Sequence, residues 1–225
     1  MKRILISIAI VFALTSLAGA ELLMPANTLG AGKMGWLAGA RYDMNSQANS
    51  NLYGVGGFFG YGLTGEWDLY GKLGYGINSN PAAGTTGNAI AMAVLTKYQF
   101  IKESAAGSPV SVAGILGYEA STATMSTLGL NLPFPYGDIG AGAVISKIMV
   151  PWVPYGAAAY HSYTADTGSL PGGTKTTGSR IEVLVGTQLL LSKDSAIVGE
   201  FSYNSFSVGG TYTNNQISLA YAAKI

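Results

Sequence analysis

The stretch EWDLYGKLGYGI, residues 66–77, sets three ionisable groups among the largest apolar residues of a chain that is only 10% charged. Trp67, Leu69, Leu73, Tyr75 and Ile77 occupy the odd positions, with Gly71 between them. Glu66, Asp68 and Lys72 occupy even positions, with Tyr70 the one large ring on that face. A period of two is the mark of a strand whose two faces meet different surroundings. The pattern predicts an apolar face against lipid and a charged face lining an interior.

Composition points the same way. The chain is 48% hydrophobic, yet beyond its first twenty residues it has no 18-residue apolar run able to form a spanning helix. It also carries 32 Gly and 14 Tyr, an unusual recipe for a soluble core. A membrane β-barrel reconciles these facts, because its hydrophobicity is spread over alternate positions of many short strands.

Residues 1–20 read as a secretory signal peptide. Lys2 and Arg3 form the positive region, Ile4 to Leu17 the apolar region, and Ala18-Gly19-Ala20 the small-residue cleavage site. Setting 20 of the 225 residues aside leaves 205, enough for one domain. The expected division is a cleaved peptide over 1–20, a periplasmic segment over 21–32 and a barrel over 33–225. Without Lys2 and Arg3 the 12 basic residues fall to ten, against 11 acidic ones. That balance argues against a nucleic-acid partner or a polybasic contact with anionic lipid. The absence of Cys excludes disulfides and thiolate-bound metal.

Ten alternating segments follow, near 33–43, 52–62, 65–77, 88–100, 109–119, 137–148, 152–163, 179–191, 195–204 and 214–225. Each approximates the roughly 9–11 residues a tilted strand needs to cross a bilayer. Short connections alternate with longer Ser/Thr/Asn/Gly-rich ones at 44–51, 78–87, 120–136, 164–178 and 205–213. The fold expected is all-β: an up-and-down antiparallel transmembrane barrel of about ten strands, within a range of eight to twelve.

The aromatic residues and the charges sharpen this. Trp67 and Tyr75 lie eight residues apart on one face, as do Tyr53 and Tyr61, and Tyr155 and Tyr163. Eight residues of tilted strand climb roughly 20 Å, close to the separation of the two aromatic girdles of a membrane barrel. Trp36, Tyr42, Tyr98, Tyr118, Tyr203 and Tyr221 complete the expected girdles. With the bulky apolar face turned outward, Arg41, Asp43, Glu66, Asp68, Lys72, Lys97, Glu119, Asp138, Arg180, Glu182, Glu200 and Lys224 all point inward. Lys147 alone faces out. A charge facing mid-bilayer lipid costs about 2–4 kcal/mol, which explains the segregation.

The last ten residues, QISLAYAAKI (216–225), alternate Ile217, Leu219, Tyr221, Ala223 and Ile225. With the leader and the hairpin rhythm, the chain resembles small bacterial outer-membrane β-barrel proteins. Such strands usually end in an aromatic residue, whereas this one ends in Ile225. The resemblance implies a place in the outer membrane among lipid and lipopolysaccharide, and handling by the barrel assembly machinery.

Ten strands lie between eight, where side chains fill the interior, and sixteen, where a channel opens. Inward Ala91, Ala93, Ala113, Gly117, Gly140, Gly142, Gly156 and Ala158 leave space along one wall. Glu66 and Asp68 are expected beside Lys97, Arg180 and Glu182 beside Glu119 and Asp138, and Lys72 opposite Glu200 across the lumen. These nine are the candidate lumen or constriction residues. His161 is the single His, and it is read as an interfacial residue without a catalytic partner. The Gly clusters at 54–62 and 137–143 lack the context of nucleotide loops and read as strand Gly that permits curvature. Neither a cofactor nor a metal site is expected, because the acidic residues are scattered singly. LGLNLPFPYG (128–137) reads as an apolar loop. Three roles compete: a structural or surface-interaction barrel with a largely filled lumen, a narrow pore for small solutes, and a lipid- or peptide-modifying enzyme using His161.

Overall fold

A computed structural model describes residues 24–45, 50–80, 85–104, 107–127, 130–166, 175–207 and 211–225. The expected leader and the tips of the expected long loops lie outside these residues. Ten antiparallel strands form one closed barrel: β1 (Met34–Asn45), β2 (Ser50–Gly62), β3 (Trp67–Asn80), β4 (Thr85–Ile101), β5 (Ser111–Thr127), β6 (Leu130–Ser146), β7 (Trp152–Asp166), β8 (Lys175–Leu190), β9 (Ser195–Ser207) and β10 (Thr211–Lys224). Each pairs with its neighbour in sequence, and β1 closes on β10 with Trp36 opposite Ala223 and Tyr42 opposite Ile217. Closure leaves no unpaired sheet edge, as a strand protein in hydrocarbon requires.

We call the end where β1 begins and β10 finishes the terminal end, and the opposite one the hairpin end. Alternation sorts the side chains. In β3, Trp67, Leu69, Leu73, Tyr75 and Ile77 are exposed, while Asp68, Tyr70 and Lys72 are buried inside. The outer surface is an apolar band that includes Val55, Leu73, Met92, Val185 and Leu219, each about 60% exposed. So extensive an exposed apolar surface is stable only against lipid. Trp36, Tyr61, Trp67, Tyr98 and Tyr221 ring the terminal end of this band, with Trp36 and Tyr221 in ring contact at 5.5 Å. Tyr53, Tyr75, Tyr118 and Tyr203 ring the other side, with Tyr42 packed on Tyr53 at 5.0 Å.

Two expectations need correction. The strands run farther toward the hairpin end than the expected segments do. Ser121 to Thr127 and Leu130 to Tyr136, expected in one loop, pair as arms of the β5–β6 hairpin, from Ser121–Tyr136 out to Thr127–Leu130. Backbone pairing thus carries the hairpin past the expected strand ends. The second correction is the facing of β7. Tyr155 and Tyr163, expected in the girdles, are 5% and 1% exposed inside the barrel, and Trp152 and Tyr160 face lipid in their place. Ala158 likewise faces out, and the neighbouring Gly156 shares its face, so neither opens space inside.

Candidate functional site in the barrel interior

The interior is layered. Toward the hairpin end lies a band of charge. Asp138 on β6 accepts from Arg180 Nη2 on β8 at 3.2 Å and from Tyr136 Oη at 2.9 Å. His161 of β7 stands between, its Nδ1 2.9 Å from Arg180 Nη2 and 3.3 Å from Asp138 Oδ1. Nδ1 thus faces both the guanidinium and the carboxylate, and Nε2 is turned toward Glu182 Oε2 at 3.5 Å. The Arg180 guanidinium also lies over the Phe206 ring at 5.9 Å.

Strand register explains why these groups meet. His161 is paired directly with Gly140 and Arg180, and a Cβ at Gly140 would meet the imidazole. Gly140 is therefore the floor on which His161 lies to reach Asp138. Lys72 and Glu119 sit on one row, separated by Ala93 of β4. The short Ala93 side chain lets Lys72 Nζ reach over to Glu119 Oε2 at 2.6 Å. Arg41 and Asp43 make a third pair at 3.3 Å, with the Arg41 side chain lying over Gly54. All these charges are buried, none more than 9% exposed. In so dry a place charges persist only when compensated.

Below the charge lies an apolar layer built from Leu37, Phe58, Tyr70, Leu95, Val144, Tyr155, Leu184 and Val198. Tyr155 crosses over Gly186 and donates to Glu200 Oε2 at 2.9 Å, and Tyr70 crosses over Gly60 and donates to Asp68 Oδ2 at 2.6 Å. Rings of β7 and β3 thus pack over glycines of a neighbouring strand and hang their hydroxyls on carboxylates.

The segment Met24–Gly30 enters the terminal mouth. Leu29 N donates to both Asp68 carboxylate oxygens at 3.1 and 3.0 Å, and Lys97 Nζ donates to the Pro25 and Asn27 carbonyls at 3.2 and 2.6 Å. Ala26 is fully buried, its amide donating to Ser146 Oγ at 3.1 Å. Gly30 and Gly32, at φ +94° and +71°, turn the chain from this strap into β1, a conformation other residues rarely adopt. Between the strap and the apolar layer lies a cavity of about 540 Å³ that opens at the terminal end.

No protein-family model matches the chain, and no curated protein matches it. Solved structures do. The translocator domain of the autotransporter NalP from Neisseria meningitidis superposes with a TM-score of 0.55 at 11% identity, over 86% of this chain and 89% of that one. The transport unit of the autotransporter AIDA-I from Escherichia coli gives 0.49 at 10% identity, covering 94% and 96%. The outer membrane protease OmpT of Escherichia coli gives 0.46 at 13% identity, covering 85% and 93%. The fold is that of a bacterial outer-membrane β-barrel.

Within this outer-membrane barrel the residues singled out from sequence fall as follows. Asp68 and Lys97 meet at 3.6 Å near the terminal mouth, and Arg180, Glu182 and Asp138 meet in the charged layer. Glu119 joins Lys72 rather than Arg180, so Lys72 does not reach for Glu200, whose partner is Tyr155. Glu66 lies in the turn before β3, exposed and held by Thr64, not in the interior. His161 is buried within the charged layer at 2% exposure rather than lying at the interface. Trp152 and Tyr160 were missed on the exterior. They too stand eight residues apart, a signal that Tyr155 and Tyr163 imitate. The strap carries no periodicity, and nothing in its sequence announces its place.

Proposed function

We propose that this protein is a closed, non-enzymatic outer-membrane barrel whose membrane part anchors paired arms at the hairpin end for contact with surface partners. The observation that carries the reading is the buried layer of Lys72–Glu119, Asp138–His161–Arg180–Glu182 and Arg41–Asp43, which sets seven charged side chains and an imidazole across the interior. A diffusive pore needs a continuous wet path, and Arg180, His161, Glu119 and Glu182 are each 2% exposed or less. Short turns belong on the periplasmic side of such barrels, so the terminal end faces the periplasm and the hairpin arms face outward. Those arms are polar where they leave the lipid, as in Ser121, Thr122 and Thr124 of β5.

Planar-bilayer recording of purified protein tests closure. Wild type should give no unitary current, and steady unitary steps would overturn the closed reading. His161 is held on both sides by charged partners and offers no open face to a substrate. Cells carrying His161→Gln should therefore keep their lipid A composition and surface proteolysis. Loss of either with the barrel still assembled would speak for catalysis.

A further inference from the structure

The charged layer explains the hairpin-end half of the lumen and leaves the other half unexplained. Barrel interiors of this class are ordinarily polar. Here the terminal half is lined by Leu37, Phe58, Val153 and Val198, all buried and all facing inward. These side chains wall the 540 Å³ cavity, a volume within the roughly 300–1,000 Å³ of small-molecule sites. Leu37, Phe58, Tyr70 and Val198 of the apolar layer bound it on the inner side, and the strap forms part of its near wall. It is a largely apolar hole that opens among the turns of the terminal end.

The mouth has a sign. Four lysines, Lys97, Lys102, Lys193 and Lys224, line the cavity against Glu103 and Asp194. Lys97 is engaged with Asp68 and the strap, and Lys193 lies 3.7 Å from Asp194. Glu103 accepts from the Ile148 amide at 2.8 Å. Among the described residues no carboxylate pairs with Lys102 or Lys224. An apolar hole with two lysines at its entrance that pair with no described carboxylate suits a molecule with one alkyl chain and one anionic head.

We propose that the periplasm-facing cavity binds a single-chain anionic amphiphile, a long-chain carboxylate or phosphate, with its chain along Leu37, Phe58 and Val198 and its head at Lys102 and Lys224. The strap, pinned by Asp68, Lys97 and Ser146, holds the cavity wall in place. The site is independent of whether the hairpin arms have partners.

Titration of the barrel in lipid nanodiscs with decanoate, dodecanoate and tetradecanoate, against protein-free nanodiscs, tests this. Dodecanoate should saturate at one per barrel, and each added methylene should tighten binding by about fourfold. Dodecanol should bind more weakly than dodecanoate. The exposed Lys102→Ala/Lys224→Ala variant, which disturbs no buried contact, should erase that preference. Ala222→Phe, which fills the cavity from a partly buried position, should abolish saturable binding while hairpin-end structure persists. No saturable binding beyond the empty nanodisc would overturn the proposal, as would unaltered binding in Ala222→Phe. Equal affinity for dodecyltrimethylammonium would overturn the assignment of the head. Dodecyl phosphate compared with dodecanoate distinguishes the two classes of head.

Discussion

At the scale of single residues, the interior depends on small side chains that make room for large ones. Gly140 is the sharpest case, because the His161 ring occupies the space its Cβ would need. Gly140→Ala should push His161 off Asp138 and destabilise the barrel by about 1–3 kcal/mol, the usual cost of overpacking. The urea midpoint of folding into phospholipid vesicles measures it. Arg180→Ala should cost more, about 3–5 kcal/mol, because Asp138 and Glu182 would remain buried without their cation. If Arg180→Ala lowered stability no more than an exposed substitution such as Lys193→Ala, the charged layer would not be a closed network.

At the scale of the element, β7 is where face assignment has consequences. Its outward line runs Trp152, Pro154, Gly156, Ala158, Tyr160, and its inward line Val153, Tyr155, Ala157, Ala159, His161, Tyr163. The inward line is the more apolar, since β7 crosses the apolar layer before it reaches the charge. A rule that turns the apolar face to lipid therefore inverts this strand, though it serves β3, whose inward face carries Asp68 and Lys72. The inversion is testable by depth. Ala158→Arg should cost about 2–4 kcal/mol as a charge in lipid, whereas Ser162→Arg, farther along the same outward face toward the hairpin end, should cost about 0–1 kcal/mol. The same vesicle-folding titration compares them, and equal costs would contradict an outward Ala158. His161 was the available clue, as the one basic residue between Trp152 and Asp166. Either the interior or the interface was open to it until β6 and β8 brought Asp138 and Arg180 alongside.

At the scale of the whole molecule, the barrel is asymmetric along its axis: compensated charge toward the hairpin end, an apolar cavity and a strap toward the terminal end. The chain has no Cys, so single cysteines report access cleanly. Val198→Cys, on the cavity wall, should react with a small thiol reagent supplied from the terminal end. Ser202→Cys, buried at 1% exposure four residues farther along β9, should stay protected until the protein unfolds. Rapid labelling of Ser202→Cys in the folded barrel would show a continuous path and contradict a closed lumen.

The sequence by itself determined the architecture: ten strands, alternating faces, an apolar exterior with girdles near Trp67 and Tyr75, and charge turned inward. Those features follow from a period-two pattern acting against the high cost of charge in hydrocarbon, a rule that β3 obeys within its own residues and β7 does not. EWDLYGKLGYGI sufficed to show it. The tertiary structure alone decided which charges pair, because pairing depends on shear and on small residues of intervening strands. Lys72 reaches Glu119 only because Ala93 stands between them, and leaves Glu200 to Tyr155. It also decided where Met24–Gly30 goes. A segment without periodicity acquires a position only from partners on other strands, in this barrel Asp68, Lys97 and Ser146.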